Sequence, residues 1–222
     1  MKIDWPGVVC ATNIGWPASD PLDAVHSVVV LHSTDPVTVY LSVLARTEGV
    51  SPTDVERSFY DDRSLVRVLC MRRTLWAVPR ELVPVVDAAA ARAVAERERR
   101  RLEGMIRNSG IAARPGAWLT RAMNAAAGKV EELGEASTSE VVAAVPLLAK
   151  PLRLGSGRWE VTQSAGSRVL RQLAMEGRLV RARPRGTWIS GQYRWTTMAA
   201  WLGEEVERLD PAAAQAELLR RW

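Results

Sequence analysis

Chemistry that depends on sulfur or imidazole has little to work with here: the only cysteines are Cys10 and Cys70, and the only histidines are His26 and His32. Two cysteines build no disulfide framework, and no Cys/His spacing of the zinc-site type occurs, so neither a disulfide scaffold nor a metal centre is expected. Phosphate-loop glycines, a Ser-His-Asp order and a cysteine nucleophile are also missing, and no cofactor is expected. Long hydrophobic runs are absent as well. None reaches the roughly 18 residues that cross a bilayer, and Met1-Lys2-Ile3-Asp4-Trp5-Pro6 lacks the apolar core of a secretory leader. The expectation is a cytoplasmic protein in a reducing setting with no membrane partner.

Lysine is scarce too, occurring only as Lys2, Lys129 and Lys150, so arginine carries nearly all of the positive charge. The net charge is +5 and the isoelectric point is near 9.7. Arginine pairs bidentately with phosphates and guanine edges, which suits nucleic acid. A GC-rich coding sequence would produce the same excess, so the position of each arginine has to decide. The chain has 222 residues, 47% of them apolar, with nine Trp to a single Phe. That is enough for two small domains with cores of their own, and disorder is not indicated.

Residues 1–21, with Trp5-Pro6-Gly7, Trp16-Pro17 and Asp20-Pro21, read as an irregular leader. Leu22, Val25, Val28 and Val29 recur at helical spacing and predict a helix through Leu31-His32. Asp35-Pro36 is an N-cap followed by a first-turn proline, opening a helix over Val37 to Arg46, and Ser51-Pro52-Thr53-Asp54 repeats the signal for a third helix through Phe59 and Tyr60. Ser64 to Pro79 then reads as two β-branched strands joined at the basic turn Met71-Arg72-Arg73. Three helices and a two-stranded wing make the order of a winged-helix unit.

A charged helical stretch from Arg80 to Gly110 and a helix from about Trp118 to Leu133 link this unit to a second one. Ser137-Thr138-Ser139-Glu140 is a capping box that starts a helix to Ala149. After the Gly155-Ser156-Gly157 turn, Thr162 or Ser164 opens a helix to Met175. Its residues Ser164, Ser167, Arg168 and Arg171 fall at i, i+3, i+4 and i+7 on one face. A hairpin follows, from Arg178 to Arg183, through Pro184-Arg185-Gly186, to Thr187–Ser190, with Tyr193-Arg194-Trp195 as a continuation. Arg168, Arg171, Arg178, Arg181, Arg183, Arg185 and Arg194 face a single acid, Glu176, in this region. In a winged helix the third helix enters the major groove and the wing grips the backbone. Ser164, Ser167, Arg168 and Arg171 are then groove contacts and Arg181, Arg183 and Arg185 phosphate contacts. Arg67, Arg72 and Arg73 are the corresponding candidates in the first wing, unless they pair with Asp61, Asp62 or the acids of the linking helix.

Leu65-Val66-Arg67, Met71-Arg72-Arg73-Thr74-Leu75 and Pro79, preceded by Leu31-His32-Ser33-Thr34-Asp35-Pro36, resemble bacterial winged-helix DNA-binding proteins related to AlkZ-type DNA glycosylases, over about residues 22 to 205. The resemblance implies a tandem winged-helix scaffold around duplex DNA and, in active members, metal-free hydrolysis of the N-glycosidic bond of alkylated purines. Active members carry a Gln-x-Gln motif that positions the attacking water, and His32 and Thr34 stand at the matching positions. The substitution keeps workable chemistry: His32 as general base, Thr34 to orient the water, Asp35 to stabilise the sugar cation. Each also has a structural account, His32 as a core histidine, Thr34 as a helix-ending polar residue and Asp35 as an N-cap.

The expected architecture is mainly α with small β-hairpins, as tandem winged helix-turn-helix domains: a leader at 1–21, a first unit at 22–90, a helical linker at 91–135, a second unit at 136–200 and a C-terminal helical segment at 201–222. Family members begin with an additional N-terminal helix and continue beyond the point matching Trp222, so the chain reads as a fragment of the family's full length. The expected partner is double-stranded DNA, with a DNA glycosylase and a non-catalytic DNA-binding or regulatory module as competing functions. A protein-binding scaffold is the third.

Overall fold

The computed structural model describes residues 17–155 and 157–222, so most of the leader and Ser156 lie outside the described residues. The architecture is mixed α/β, mainly helical with small antiparallel sheets. Helix α1 (Pro21–His26) starts on the Asp20 side chain, which accepts from the Asp23 amide. The predicted continuation of this helix to His32 is corrected. Val29 takes a left-handed conformation (φ 68°), and β1 (Leu31–His32) pairs antiparallel with β3 (Leu75–Pro79). The run of β-branched valines served a strand as well as it would have served a helix, since a short apolar stretch fits both periods.

Helix α2 (Pro36–Leu44) is capped by Asp35, and α3 (Pro52–Tyr60) opens with a complete capping box between Ser51 and Asp54. Strand β2 (Leu65–Leu69) pairs with β3 in the register Leu65↔Pro79 to Leu69↔Leu75, giving a sheet of order β1-β3-β2. Val39, Tyr40, Val43, Val55 and Phe59 pack into one core with the inner faces of this sheet. Helix α4 (Val83–Val86), a π-helical turn at Asp87–Ala91 and α5 (Arg92–Asn108) follow as one continuous charged rod, in line with the helical expectation.

Helix α6 (Pro115–Leu133) crosses to the second half, where α7 (Thr138–Ala144) starts on the Ser137/Glu140 capping box. Three expectations shift here. Helix α7 ends at Ala144 rather than running to Ala149, because Val145 before Pro146 is extended and Pro146–Ala149 form a separate 3-10 turn. Residues Val161–Ser164 form β5, paired with β4 (Pro151–Leu154), so the next helix, α8, runs Gly166–Met175 rather than starting at Thr162 or Ser164. The partner of β6 (Leu179–Arg181) is β7 (Trp195–Thr197) rather than Thr187–Ser190, which leaves residues 182–194 as a long connecting loop. Trp195 also exchanges both backbone hydrogen bonds with Ala136, and this second anchor fixes the pairing.

Two large hydrophobic cores result among the described residues, with a small cluster of Leu69, Leu75, Ala95 and Met175 beside them, and β6 serves both large ones: Leu179 joins the second and Val180 the first, the alternation a strand provides. Helices α9 (Met198–Leu202) and α10 (Pro211–Arg221) return to the first half. Trp201 and Leu202 join its core, and α10 packs on the π-helical turn.

Candidate functional site

The segment His32-Ser33-Thr34-Asp35 is zipped onto β3 beyond the last paired residue of β1. The Ser33 amide donates to the Leu75 carbonyl at 2.8 Å, and the Leu75 amide donates back to Thr34 Oγ1 at 3.1 Å. Ser33 is buried, which turns its neighbours His32 and Thr34 outward on the other side of the strand. There His32 Nε2 and Thr34 Oγ1 lie 3.1 Å apart, and the imidazole stands edge-on to Trp76 with centroids 5.4 Å apart. His32 is exposed, so the core-histidine account does not describe it.

Asp35 Oδ1 accepts from the Val37 amide (2.8 Å), the Thr38 amide (2.9 Å) and the Thr38 hydroxyl (3.1 Å). These bonds, the Thr38 amide first, hold its carboxyl below the usual carboxylate range. It is therefore a charged N-cap, with no hydrogen bond to Oδ2 among the described residues. The three polar residues occupy one short exposed stretch, a geometry suited to orienting a water molecule beside a negative charge.

The hairpin tip lies at the same end of the strand pair, since Leu75, to which Ser33 and Thr34 are bonded, follows the tip directly. Arg72 (φ 53°) and Arg73 (φ 61°) are both left-handed and exposed. Arg73 faces Glu98 of α5 at 3.7 Å, and Arg171 of α8 donates to the Arg73 carbonyl at 2.5 Å. The two candidate DNA surfaces thus meet at this tip. Arg67, by contrast, is only 4% exposed: its Nη1 donates to the Tyr193 hydroxyl at 2.7 Å, and its guanidinium lies over Phe59 and Tyr60.

The other expected contacts of the second half are dispersed. Ser164 ends β5, and Ser167 on α8 accepts from the Gln163 side chain at 3.1 Å. Arg168 and Arg171 are half-buried, and burial, followed by the charge of Arg168, holds the Arg171 guanidinium below its ordinary pKa. Burial pushes Arg181 down to about 10, and its guanidinium packs on Tyr193 and Trp195. Arg183 pairs with Asp61 at 2.8 Å, and Arg185 with Glu140 at 3.2 Å. Much of the basic patch read from the sequence is therefore neutralised or folded inward. Tyr40, Tyr60, Trp76 and Tyr193 complete these arrangements, and sequence reasoning missed them because each becomes significant only through a partner distant in the chain, whereas the Arg73–Glu98 pair is the expected pairing with an acid of the linking helix.

Among the described residues, no group of three or more His, Cys, Asp or Glu side chains is arranged to hold a metal ion, and no helix is long and apolar enough to cross a membrane. Cys70 is buried, and burial pushes its thiol up to about 11, so it is a packing residue.

Comparison with solved structures finds the Streptomyces sahachiroi DNA glycosylase AlkZ, at 19% identity and a TM-score of 0.65. The match covers 100% of this chain and 57% of that one, so the chain spans little more than half the length of this structural relative. No curated protein matches. Comparison with protein families matches residues 25–222 to the AlkZ-like DNA glycosylases. Since that match takes in almost the whole sequence, and the His32–Asp35 segment and the Met71–Leu75 hairpin both lie within it, the chain belongs to the DNA glycosylase AlkZ-like family.

Proposed function

We propose that this chain binds double-stranded DNA through two winged-helix units, residues 22–90 and 136–200, joined by the helical linker 91–135 and followed by the C-terminal segment 201–222, and that it hydrolyses the N-glycosidic bond of alkylated purines. The observation that carries this reading is the outward-facing His32/Thr34 pair, held 3.1 Å apart beside the Asp35 carboxylate. With the imidazole proton on Nε2, His32 donates to Thr34 Oγ1. That oxygen then accepts from both His32 and the Leu75 amide, so the Thr34 hydroxyl proton points at solvent and His32 Nδ1 is left as an acceptor. Nδ1 takes the proton from the attacking water as the bond to C1′ forms, and the purine leaves with the bond electrons. An N7-alkylated purine is already cationic and departs neutral, so the catalyst has little leaving-group work to do. Asp35 supplies negative charge near the developing sugar cation, where fixed charges lower the barrier most.

Arg72 and Arg73 at the hairpin tip, Ser164, Ser167, Arg168 and Arg171 on or beside α8, and Arg183 and Arg185 in the loop after β6 supply the phosphate and groove contacts of this reading. Arg67 and Arg181 support them from below. The replacement of the family's two glutamines by His32 and Thr34 favours a second reading, a non-catalytic DNA-binding module on the same scaffold.

One experiment separates the two: duplex DNA carrying N7-methylguanine is incubated with wild type and with His32→Ala, and abasic sites are scored. Catalysis through His32 predicts product from wild type and a loss of about 100-fold or more in the variant, the usual scale for removing a general base. Equal yields from both proteins clear His32 of the role, and no product from either, with duplex still bound, gives the non-catalytic reading.

A further inference from the structure

Beneath the covering loop 182–194 lies a group of polar atoms that no described residue satisfies. Arg67 Nε and Nη2, the Tyr40 hydroxyl and the Tyr60 hydroxyl are all buried without a hydrogen-bond partner among the described residues. The residues that carry them are 4%, 0% and 7% exposed. They belong to one neighbourhood: the Arg67 guanidinium lies 4.7 Å from the Phe59 ring centroid and 5.8 Å from that of Tyr60, and the Tyr40 and Phe59 rings are 6.4 Å apart. The loop closes over them, with Tyr193 bonded to Arg67 Nη1 and Trp188 packed on Tyr40 at 4.8 Å.

The charge is as unbalanced as the hydrogen bonding. Arg67 and Arg181 lie against the same Tyr193 ring, at 5.1 and 4.8 Å, and neither forms an ion pair with a carboxylate among the described residues. Aromatic faces offset part of the cost of burying a guanidinium, at about 2 kcal/mol for a desolvated contact. Several kcal/mol per buried ion remain to be met. Water would fill the hydrogen bonds but leave both charges uncompensated. The geometry specifies the missing species further. Nε–H and Nη2–H form one edge of the guanidinium, the side-on fork that grips two oxygens of a single anion, while Tyr193 holds the remaining nitrogen. Burial keeps the two tyrosines protonated, so both hydroxyls can donate to the anion's other oxygens.

We propose that Arg67, Tyr40 and Tyr60 form an internal binding site for a small oxyanion of the phosphate type, closed by Tyr193 and Trp188. Because the four atoms are sealed, the ligand enters only when the loop lifts. The site differs from the His32–Asp35 stretch and does not depend on whether that stretch is catalytic.

The test is thermal melting of the full chain in inorganic phosphate against chloride at matched ionic strength. The expected result is a melting temperature that rises with the logarithm of phosphate concentration in wild type, as for any ligand that binds only the native state. The rise is lost in Arg67→Met and kept in Arg121→Ala, which removes an exposed arginine of α6 instead. Should Arg67→Met not fold, the Tyr40→Phe/Tyr60→Phe pair, which removes only two oxygens, is expected to weaken phosphate at least tenfold. Equal responses in wild type and these variants, or no response in wild type, overturn the proposal. The phosphorus resonance of inorganic phosphate identifies the source: its broadening by wild type persists when duplex DNA is added if the ligand is a free anion, and vanishes if a backbone phosphate takes the site.

Discussion

At the scale of single residues, the hairpin tip holds two non-glycine residues in succession in the left-handed region, Arg72 and Arg73. Each costs roughly 1–2 kcal/mol relative to a right-handed conformation, and only surrounding contacts keep such residues there. The contacts are visible: Arg171 on the Arg73 carbonyl, Glu98 on the Arg73 side chain and Trp76 Nε1 on the Met71 carbonyl. Arg72 is exposed and unpaired among the described residues, so Arg72→Gly removes strain and no internal contact. Glycine returns part of the gain through unfolded-state entropy. Urea denaturation should show Arg72→Gly more stable by about 0.5–1 kcal/mol, and a less stable variant would mean that the side chain has an internal role. Asp35 gives a pH prediction. Its folded pKa lies below the ordinary 3.8, so its contribution is complete above that value and is lost as pH falls through the lower folded one. Asp35→Asn keeps a capping oxygen but does not titrate. The melting-temperature advantage of wild type over the variant should therefore narrow below about pH 3.8, and a constant difference would show that the charge plays no part.

At the scale of elements, legibility followed how local each signal was. The starts of α2, α3 and α7 were readable because Asp35-Pro36, Ser51-Pro52-Thr53-Asp54 and Ser137-Thr138-Ser139-Glu140 state their caps within four residues. The β2–β3 hairpin was readable because its turn and both strands are contiguous. Strands β1, β5 and β7 were not, since each is extended only because a distant segment pairs with it. The same holds for the site: His32, Thr34 and Asp35 were found together from sequence, whereas the inward fate of Arg67 and Arg181 depends on Tyr193, far along the chain. Packing between elements makes its own prediction at Gly166, the first residue of α8. A Cβ there would stand 2.2 Å from Val142 Cγ2 of α7, with Leu148 Cβ at 3.4 Å, so the two helices approach only because the side chain is absent. Gly166→Ala gains helix propensity but overpacks the contact. Equilibrium denaturation should show a net loss of about 1–3 kcal/mol, and a neutral result would mean that Val142 finds another rotamer at little cost.

At the scale of the whole molecule, the positive charge that suggested nucleic acid is held partly in reserve. Asp61 occupies Arg183, and Glu140 occupies both Arg185 and Arg194, so the loop after β6 is tied to the body by acids that also neutralise it. These pairs are exposed, and such pairs contribute at most about 1 kcal/mol, so phosphates can compete for the arginines. Competition costs affinity, and removing the acid returns it. Glu140→Gln is the informative change because glutamine at this position still completes the capping box of α7, leaving the helix start intact while Arg185 is freed and Arg194 stays held by Glu135. Each additional phosphate neutralised adds about 0.9 to the slope of log affinity against log salt. Titration of duplex DNA at several salt concentrations should therefore show Glu140→Gln binding several-fold tighter at low salt, with a slope steeper by about 1. An unchanged slope would place Arg185 off the DNA path, leaving α8 and the Arg72-Arg73 tip as the surface proposed to meet the duplex.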